Sequence, residues 1–447
     1  MLVLDGGDLF WKTARMSDKR LRQQRRKGAL QLDVLTASGI HAMVPGKGDL
    51  ALGVDWLTER AKATGAPYTA ANLMCDGAAP FPPSQTATVA GLDIRVVGLL
   101  SDEALMPRGC VVAPAGPALA RALEDAPDAD LVVVLSRLSL DDDIALAEAE
   151  PRIDLIVGGG SQTARPTPKL LGHNTARIEL GTRGKKLGVT TVHWEPGATG
   201  FAVQGSVEEL EKQLDRLKKR RASAADHLER TDDERSKERQ QRRLDHYDKE
   251  IPRVEAELAA ARSESSDPMH GIDFELQSLG PGVADHPATA EKVAQALADI
   301  EAMEAAAKSS GPLRGPFMGS GSCAGCHPAQ TQQWKDTPHA KAWRTLVDQK
   351  RHVDLDCYGC HATGAFHPEG PAHPNQVGQL KGVGCESCHG PGRDHVRDPK
   401  TARMEVDPPE ATCIQCHDGE QDEGRFDFES YRPKIVHTGV VSGAPTE

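Results

Sequence analysis

Four copies of the pattern Cys-x-x-Cys-His crowd the last quarter of this chain: Cys323-Ala324-Gly325-Cys326-His327, Cys357-Tyr358-Gly359-Cys360-His361, Cys385-Glu386-Ser387-Cys388-His389 and Cys413-Ile414-Gln415-Cys416-His417. Two thiols about one helical turn apart can form thioethers to the two vinyl groups of one porphyrin, and the adjacent imidazole then reaches its iron. Each copy therefore reads as a covalent c-type haem site. Zinc ribbons, thioredoxin-like redox pairs and structural disulfides also use paired cysteines, but none requires a His directly after the second Cys. The expectation is four c-type haems on eight cysteines, with His327, His361, His389 and His417 as proximal iron ligands. Eight of the 10 Cys and ten of the 17 His lie beyond residue 320, so the chemistry is concentrated there.

Haem iron usually takes a second axial ligand, and Met raises its potential relative to a second His. Beyond residue 320 the chain offers six His outside the motifs, His339, His352, His367, His373, His395 and His437, against one Met, Met404. Bis-His ligation and comparatively low potentials are the economical expectation. His339 begins an amphipathic stretch with Ala342, Trp343 and Leu346, His395 follows the turn Gly390-Pro391-Gly392, and His437 ends an extended segment. His367 and His373 sit among Pro and Gly in a loop, where solvent exposure is the simpler role.

The same region resembles the tetrahaem cytochrome c family that carries electrons in nitrifying bacteria, and its relatives among multihaem proteins. The matching stretches are Ser322 to His327 followed by Trp334 and Thr337-Pro338-His339-Ala340, then Asp356 to Gly364, then Gly382 to Gly392 with His395. The resemblance covers about residues 319–441. It implies distal-ligand roles for His339, His395 and His437. It also implies that one haem lacks a sixth protein ligand, here the haem on Cys357 and Cys360, unless His352, His367 or His373 closes it.

The first two hundred residues carry a different signal. Short apolar runs at Leu2 to Leu4, Ile94 to Val97, Leu131 to Leu135, Ile153 to Val157 and Leu187 to Val192 alternate with helical periods, one of them running through Leu30, Val34 and Leu35. This is an α/β pattern. The strands end in Gly7-Asp8, Pro45 to Asp49, Ser136-Arg137-Leu138 and Gly158 to Gln162, so any chemistry belongs to the loops at one end of the sheet. Gly46-Lys47 lacks the spacing of a phosphate loop, and the Gly158 triplet lacks dinucleotide-binding spacing. Cys75 and Cys110 fit a disulfide, a reactive pair or two buried small hydrophobes, burial being the expectation.

The order of these segments resembles the 5'-nucleotidase branch of the calcineurin-like metallophosphoesterases. Asp5-Gly6-Gly7-Asp8-Leu9-Phe10 matches the motif whose Asp bridges two metals, and Ala71-Asn72-Leu73 matches a stretch typical of the branch. Elsewhere the ligands fail: the family's G-N-H-[ED] is Gly46-Lys47-Gly48-Asp49, its catalytic-loop His is Arg137, and its G-H-x-H is Gly160-Ser161-Gln162. Two-metal chemistry needs several carboxylate, imidazole and amide ligands around two cations a few ångströms apart. Asp8 alone does not supply them, so a metal-free pseudo-enzyme is expected, with Lys47 and Arg137 placing positive charge where metals would sit. A basic pocket that still holds an anion is the competing reading. For Asp8 and Asp49 the plainer role is turn and cap chemistry.

Residues 206–262 hold 15 acidic and 15 basic side chains with sparse apolar positions at Leu210, Leu214, Leu217, Leu228, Leu244, Tyr247, Ile251, Val254 and Leu258. An antiparallel helical hairpin or coiled coil is expected, turning near Thr231-Asp232-Asp233 and kinked by Pro252. A solvated spacer packing on itself is favoured over a dimerisation or docking arm. The expected architecture is multidomain. An N-terminally incomplete α/β metallophosphoesterase-like sandwich spans 1–205, the charged hairpin 206–263, and a helix and linker 264–318, irregular over 264–290 and helical over 291–307. A mostly helical, loop-rich tetrahaem domain spans 319–447.

A net charge of −12 argues against general nucleic-acid binding, and no run of about 18 apolar residues marks a membrane span. Covalent haem attachment is completed outside the cytoplasm, so a periplasmic or extracellular protein is expected. No signal peptide is visible, which suggests that the native export signal and first strand lie upstream of this sequence. The function expected is electron transfer with redox partner proteins, the nucleotidase-like region serving as scaffold or docking surface, and with homo-oligomers or stacked haem arrays a possible assembly. The alternative is an oxidoreductase acting on a small nitrogen or sulfur species at an open iron. A metal-dependent phosphoesterase ranks last.

Overall fold

A computed structural model of the 447-residue chain describes residues 1–11, 16–101, 106–124, 128–159, 167–181, 184–203, 206–230, 234–262, 269–280, 282–306, 315–418 and 425–437. Its contacts divide into two compact units that interleave along the sequence. The first is Met1–Asp8, Ile40–Gly46 and Pro67–Gly282; the second is Leu9–Gly39, Lys47–Ala66 and Val283–Glu447. This differs from the consecutive division expected from the sequence.

The first unit is α/β. Its six-stranded sheet runs in the order Ser84–Val89, Leu92–Leu99, Leu131–Ser136, Leu155–Gly158, Thr175–Glu179, Lys169–Leu171. The four middle strands are parallel and the two outer pairs antiparallel. Every residue of Leu131–Ser136 is buried, as continuous apolar runs in a covered parallel sheet should be. Leu119, Ala122 and Leu123 of the helix Ala115–Glu124, and Leu146 and Ala147 of Leu140–Ala149, pack on Val97, Val132, Val134 and Ile156. The N-terminal apolar run contributes only the short strand Leu4–Asp5, parallel to Ala42–Met43.

Residues expected to be irregular form the strand His270–Ser278 instead, between Lys186–His193 and Phe201–Val203 in a second, three-stranded sheet. Ile272, Phe274 and Leu276 alternate there with Asp273, Glu275 and Gln277, the period of a half-buried strand. Cys75 and Cys110 face one another across the antiparallel pair Leu73–Cys75 and Cys110–Val112 and are joined by a disulfide, so simple burial is corrected. The charged segment forms two long helices, Ser206–Arg230 and Glu234–Arg262, packed on each other through Ala224, Leu244 and Tyr247, with Leu217, Leu228 and Ile251 alongside. Lys218 pairs with Glu255 and Arg221 with Asp248 across them. The second helix runs on through Pro252. The expected turn at 231–233 lies outside the described residues.

The second unit is helical. The helix Asp18–Ala37, capped by the Ser17 hydroxyl, places Arg20, Gln23, Gln24 and Lys27 on one face, the i, i+3, i+4, i+7 spacing of a helical stripe. That face bonds the segment just before the second haem motif. Arg20 donates to Asp356 and to the Leu355 carbonyl, Gln23 bonds the Leu355 amide and the Val353 carbonyl, Gln24 reaches Asp356, and Lys27 pairs with Asp354 and Asp356 at 2.5 and 2.7 Å. These contacts across about 330 residues explain why residues 9–39 belong with the haem region rather than with the α/β sheet. The apolar cluster of that region is small: Phe317, Trp343, Leu355, Tyr358, Ala362, Val377 and Leu380.

Candidate haem centres

Each motif is built on one turn of helix. The amide of His327 donates to the Cys323 carbonyl at 2.9 Å and that of His417 to the Cys413 carbonyl at 2.9 Å, while Tyr358–His361 and Cys385–His389 are short helices. The turn brings the two thiols of a motif near each other with the imidazole just beyond. Between motifs, the Cys323 and Cys385 thiols are in hydrogen-bond contact, and so are Cys360 and Cys416. The first motif thus abuts the third, and the second abuts the fourth.

Burial, together with the neighbouring Cys385, pushes the Cys323 thiol up to about 12; burial pushes Cys357 and Cys388 up to about 11. The hydrogen bond to Cys360, then burial, raises Cys416 further. Among the described residues no group of three or more His, Cys, Asp or Glu gathers around a point that would hold a metal ion.

The imidazoles pair across the motifs. His327 faces His395 with ring centroids 6.4 Å apart and planes 25° apart, His389 faces His437 at 6.2 Å and 20°, and His417 faces His339 at 6.1 Å and 57°. Two imidazoles on one metal, each about 2 Å from it with about 1.2 Å from nitrogen to ring centre, have centroids about 6.4 Å apart. All three spacings fit an iron between the rings. Different local devices aim these side chains. Thr337 caps Pro338–Asp348 by accepting from the Ala340 amide, which fixes His339 in the first turn. His395 sits in Arg393–Arg397 and directs Nδ1 to the Ala402 carbonyl at 2.8 Å. His389 Nδ1 donates to the Glu405 carbonyl and His361 Nδ1 to the Ala342 carbonyl, both at 2.6 Å. A ring whose Nδ1–H is held by a carbonyl presents a bare Nε2, the form an iron takes. Burial, then the facing His417, lowers the pKa of His339; burial, then His389 and His327, lowers that of His437.

His361 is anchored in the same way as His389 but has no second imidazole opposite it among the described residues. His373 is buried with Nε2 against the Glu304 carboxylate and Nδ1 accepting from the Asn375 amide at 3.2 Å, so both nitrogens are engaged and this loop His is not solvent-exposed. His367 accepts from the Glu369 amide and lies edge-on to Phe317 at 5.2 Å. His352 Nδ1, Arg393 Nε and His437 Nδ1 are buried without a hydrogen-bond partner.

Sequence reasoning overlooked Glu386, inside the third motif. Its side chain is buried, and its carboxylate accepts from the backbone amides of Met318, Gly319 and Gly392 at 2.7–3.0 Å. It ties the third motif to the segment leading into the first motif and to the turn before His395. The only sequence signal was a carboxylate within an otherwise small and polar motif.

In the α/β unit, the Arg137 guanidinium lies on the Asp8 carboxylate and donates to the carbonyls of Gly6 and Gly7 at 3.1 and 3.5 Å. Asp8 has a left-handed backbone, φ 55°, and a Cβ on Gly46 would meet its carboxylate at 2.1 Å. Asn72 is spent on the backbone of Leu100 and Ala113. In the other unit Asp49 is buried and accepts from the Phe10 amide, and Lys47 is exposed, so Lys47 does not fill a metal position. Gly160 to Gln162 lie outside the described residues.

Comparison with known proteins picks out a stretch that holds one ring of each imidazole pair, His327, His339 and His389. Residues 322–390 match the family of cytochrome c554 and c-prime. The match takes in three of the four motifs. A stretch of 86 residues is 40% identical to cytochrome c-554 of Nitrosomonas europaea, covering 16% of this chain and 37% of that relative. The chain therefore spans little more than a third of the curated relative it matches. Solved structures similar to other parts are sulfate thiohydrolase SoxB of Thermus thermophilus, at 26% identity and a TM-score of 0.37 over 43% of this chain and 35% of that one, and a 5'-nucleotidase precursor from the same organism, at 21% and 0.38 over 43% and 42%. The calcineurin-like phosphoesterase YfkN of Bacillus subtilis is similar at 13% and 0.42 over 67% and 83%.

Proposed function

We propose that this chain is a four-haem c-type cytochrome that transfers electrons, and that its α/β unit is a metal-free scaffold or docking surface. The observation that carries the reading is the pairing of three motif histidines with His395, His339 and His437 at the separation two axial imidazoles require. Bound haem supplies one-electron chemistry at iron. The chain's own residues do the rest: Cys323, Cys326, Cys357, Cys360, Cys385, Cys388, Cys413 and Cys416 attach the four groups, and the seven histidines ligate. The carbonyls of Ala342, Glu405 and Ala402 fix ring orientation. The thiol contacts Cys323 to Cys385 and Cys360 to Cys416 bring attachment points together, the proximity that passage of electrons between haems needs.

In the α/β unit the Arg137 guanidinium neutralises the one recognisable metal-bridging carboxylate. This supports a scaffold rather than a hydrolase. The Cys75–Cys110 disulfide suits an exported, oxidising location, and no helix among the described residues is long and apolar enough to cross a membrane. Redox proteins are the partners this reading calls for. Mass spectrometry of the intact, aerobically purified chain tests it: four haem increments are expected, and fewer refute the reading.

A second reading has one observation in its favour. His361 alone among the motif histidines has no facing imidazole among the described residues, which leaves room for a small molecule at that iron. Carbon monoxide titration of the reduced protein separates the two: binding to about one haem in four supports an open iron, and no binding leaves a pure carrier.

A further inference from the structure

Buried carboxylates are rare without a compensating cation, because removing a charge from water is costly unless hydrogen bonds or an opposite charge replace the solvent. Glu386 is 3% exposed and has no Lys, Arg or His in ion-pair contact among the described residues. One oxygen accepts from Met318 at 2.9 Å and Gly392 at 2.7 Å, the other from Met318 at 3.0 Å and Gly319 at 2.7 Å. All are backbone N–H donors, the complement of a carboxylate. Its neighbour Cys385 touches Cys323, so the negative charge lies where the first and third motifs meet.

We infer that Glu386 is a positioning residue for the first and third haem sites: it holds the turn that carries His395 and places a fixed negative charge between the two sites. The inference rests on the haem reading above. A buried anion favours the more positive, ferric state of a nearby iron, and the low dielectric that makes it costly also makes its field strong. The second and fourth sites, whose thiols meet at Cys360 and Cys416, lie outside its contacts.

The test uses the full-length, haem-loaded chain. Haem number is read by intact mass, spin state by electron paramagnetic resonance, and midpoint potentials by spectroelectrochemical titration. Glu386→Gln keeps the size of the side chain and removes its charge. At a fixed applied potential the ferrous to ferric ratio of two of the four haems is expected to rise at least tenfold, which is 59 mV for a one-electron couple. Glu386→Asp keeps the charge but shortens the reach. At the same applied potential its ferrous to ferric ratios are expected to stay within threefold of the wild type while the haem ligated by His395 gains high-spin character. Should Glu386→Gln fail to accumulate, Met404→Lys, at a side chain whose end meets the same space beside Gly392 as the carboxylate, brings an ammonium near the intact charge and is expected to move the same two potentials upward. Full loading with unmoved potentials, or an equal movement of all four, overturns the inference. Fewer than four haems in the wild type overturns the reading beneath it.

Discussion

Replacing His395 with Ala gives the sharpest test of how the haem region is assembled. In the structure His395 faces His327 at 6.4 Å, and its Nδ1 is held by the Ala402 carbonyl. The substitution removes the ring without touching Cys323, Cys326 or His327, so the first haem stays attached and keeps its proximal ligand. If four haems are bound as proposed, the three facing pairs and the one motif histidine without a facing ring predict that about a quarter of the iron is high spin in the wild type. His395→Ala raises that share to about a half, a doubling of the high-spin signal with no change in haem mass. His437→Ala and His339→Ala each give the same doubling, and added imidazole reverses it. His373→Ala leaves the share at a quarter, because both nitrogens of that ring already bond to Glu304 and Asn375. Electron paramagnetic resonance of the ferric protein, integrated against total haem, measures the share directly. An unchanged share in His395→Ala, or a doubling in His373→Ala, refutes the ligand assignment.

Three further outcomes are expected. Arg177→Met leaves the buried carboxylates of Asp143 and Glu179 without the guanidinium that bonds both, and denaturant titration of the α/β unit should show a loss of about 3–5 kcal/mol; a loss below about 1 kcal/mol contradicts the role of that triad. Burial raises Asp154 from 3.8 to about 6 in the folded chain, so folding favours its protonated form, and its contribution is fully present below about 4 and lost as pH rises to about 6. Asp154→Asn should therefore flatten the fall in melting temperature over that window and stabilise the protein at neutral pH by at most about 3 kcal/mol, with no gain at pH 4. Manganese, zinc or cobalt added to the full chain should yield no phosphatase turnover; turnover abolished by Asp8→Asn would reinstate a hydrolase.

The haem region was legible because its chemistry is local. A Cys-x-x-Cys-His turn closes within five residues, and three of the six histidines outside the motifs, His339, His395 and His437, lie opposite motif rings. The middle strands were legible for a related reason: Leu131 to Leu135 is apolar throughout and has nowhere to go but a covered sheet. What the sequence hid depends on partners far along the chain. The strand His270–Ser278 alternates over only three apolar residues and exists because two other strands flank it. The face of Asp18–Ala37 that matters is its polar one, so reading apolar periodicity alone assigned that helix to the wrong unit. Glu386 carries no pattern of its own, since its meaning comes from three backbone amides, two of them nearly seventy residues away.

The polar stripe of Arg20, Gln23, Gln24 and Lys27 has a consequence for how the chain is made. Its partners at residues 353–356 are synthesised long after it, and joining them closes a loop of about 330 residues that contains the whole α/β sheet. Loop closure of that length is entropically slow to reward, so the helical unit completes last. Until then the stretch just ahead of the second Cys-x-x-Cys-His turn lacks every hydrogen bond that Arg20, Gln23, Gln24 and Lys27 give it.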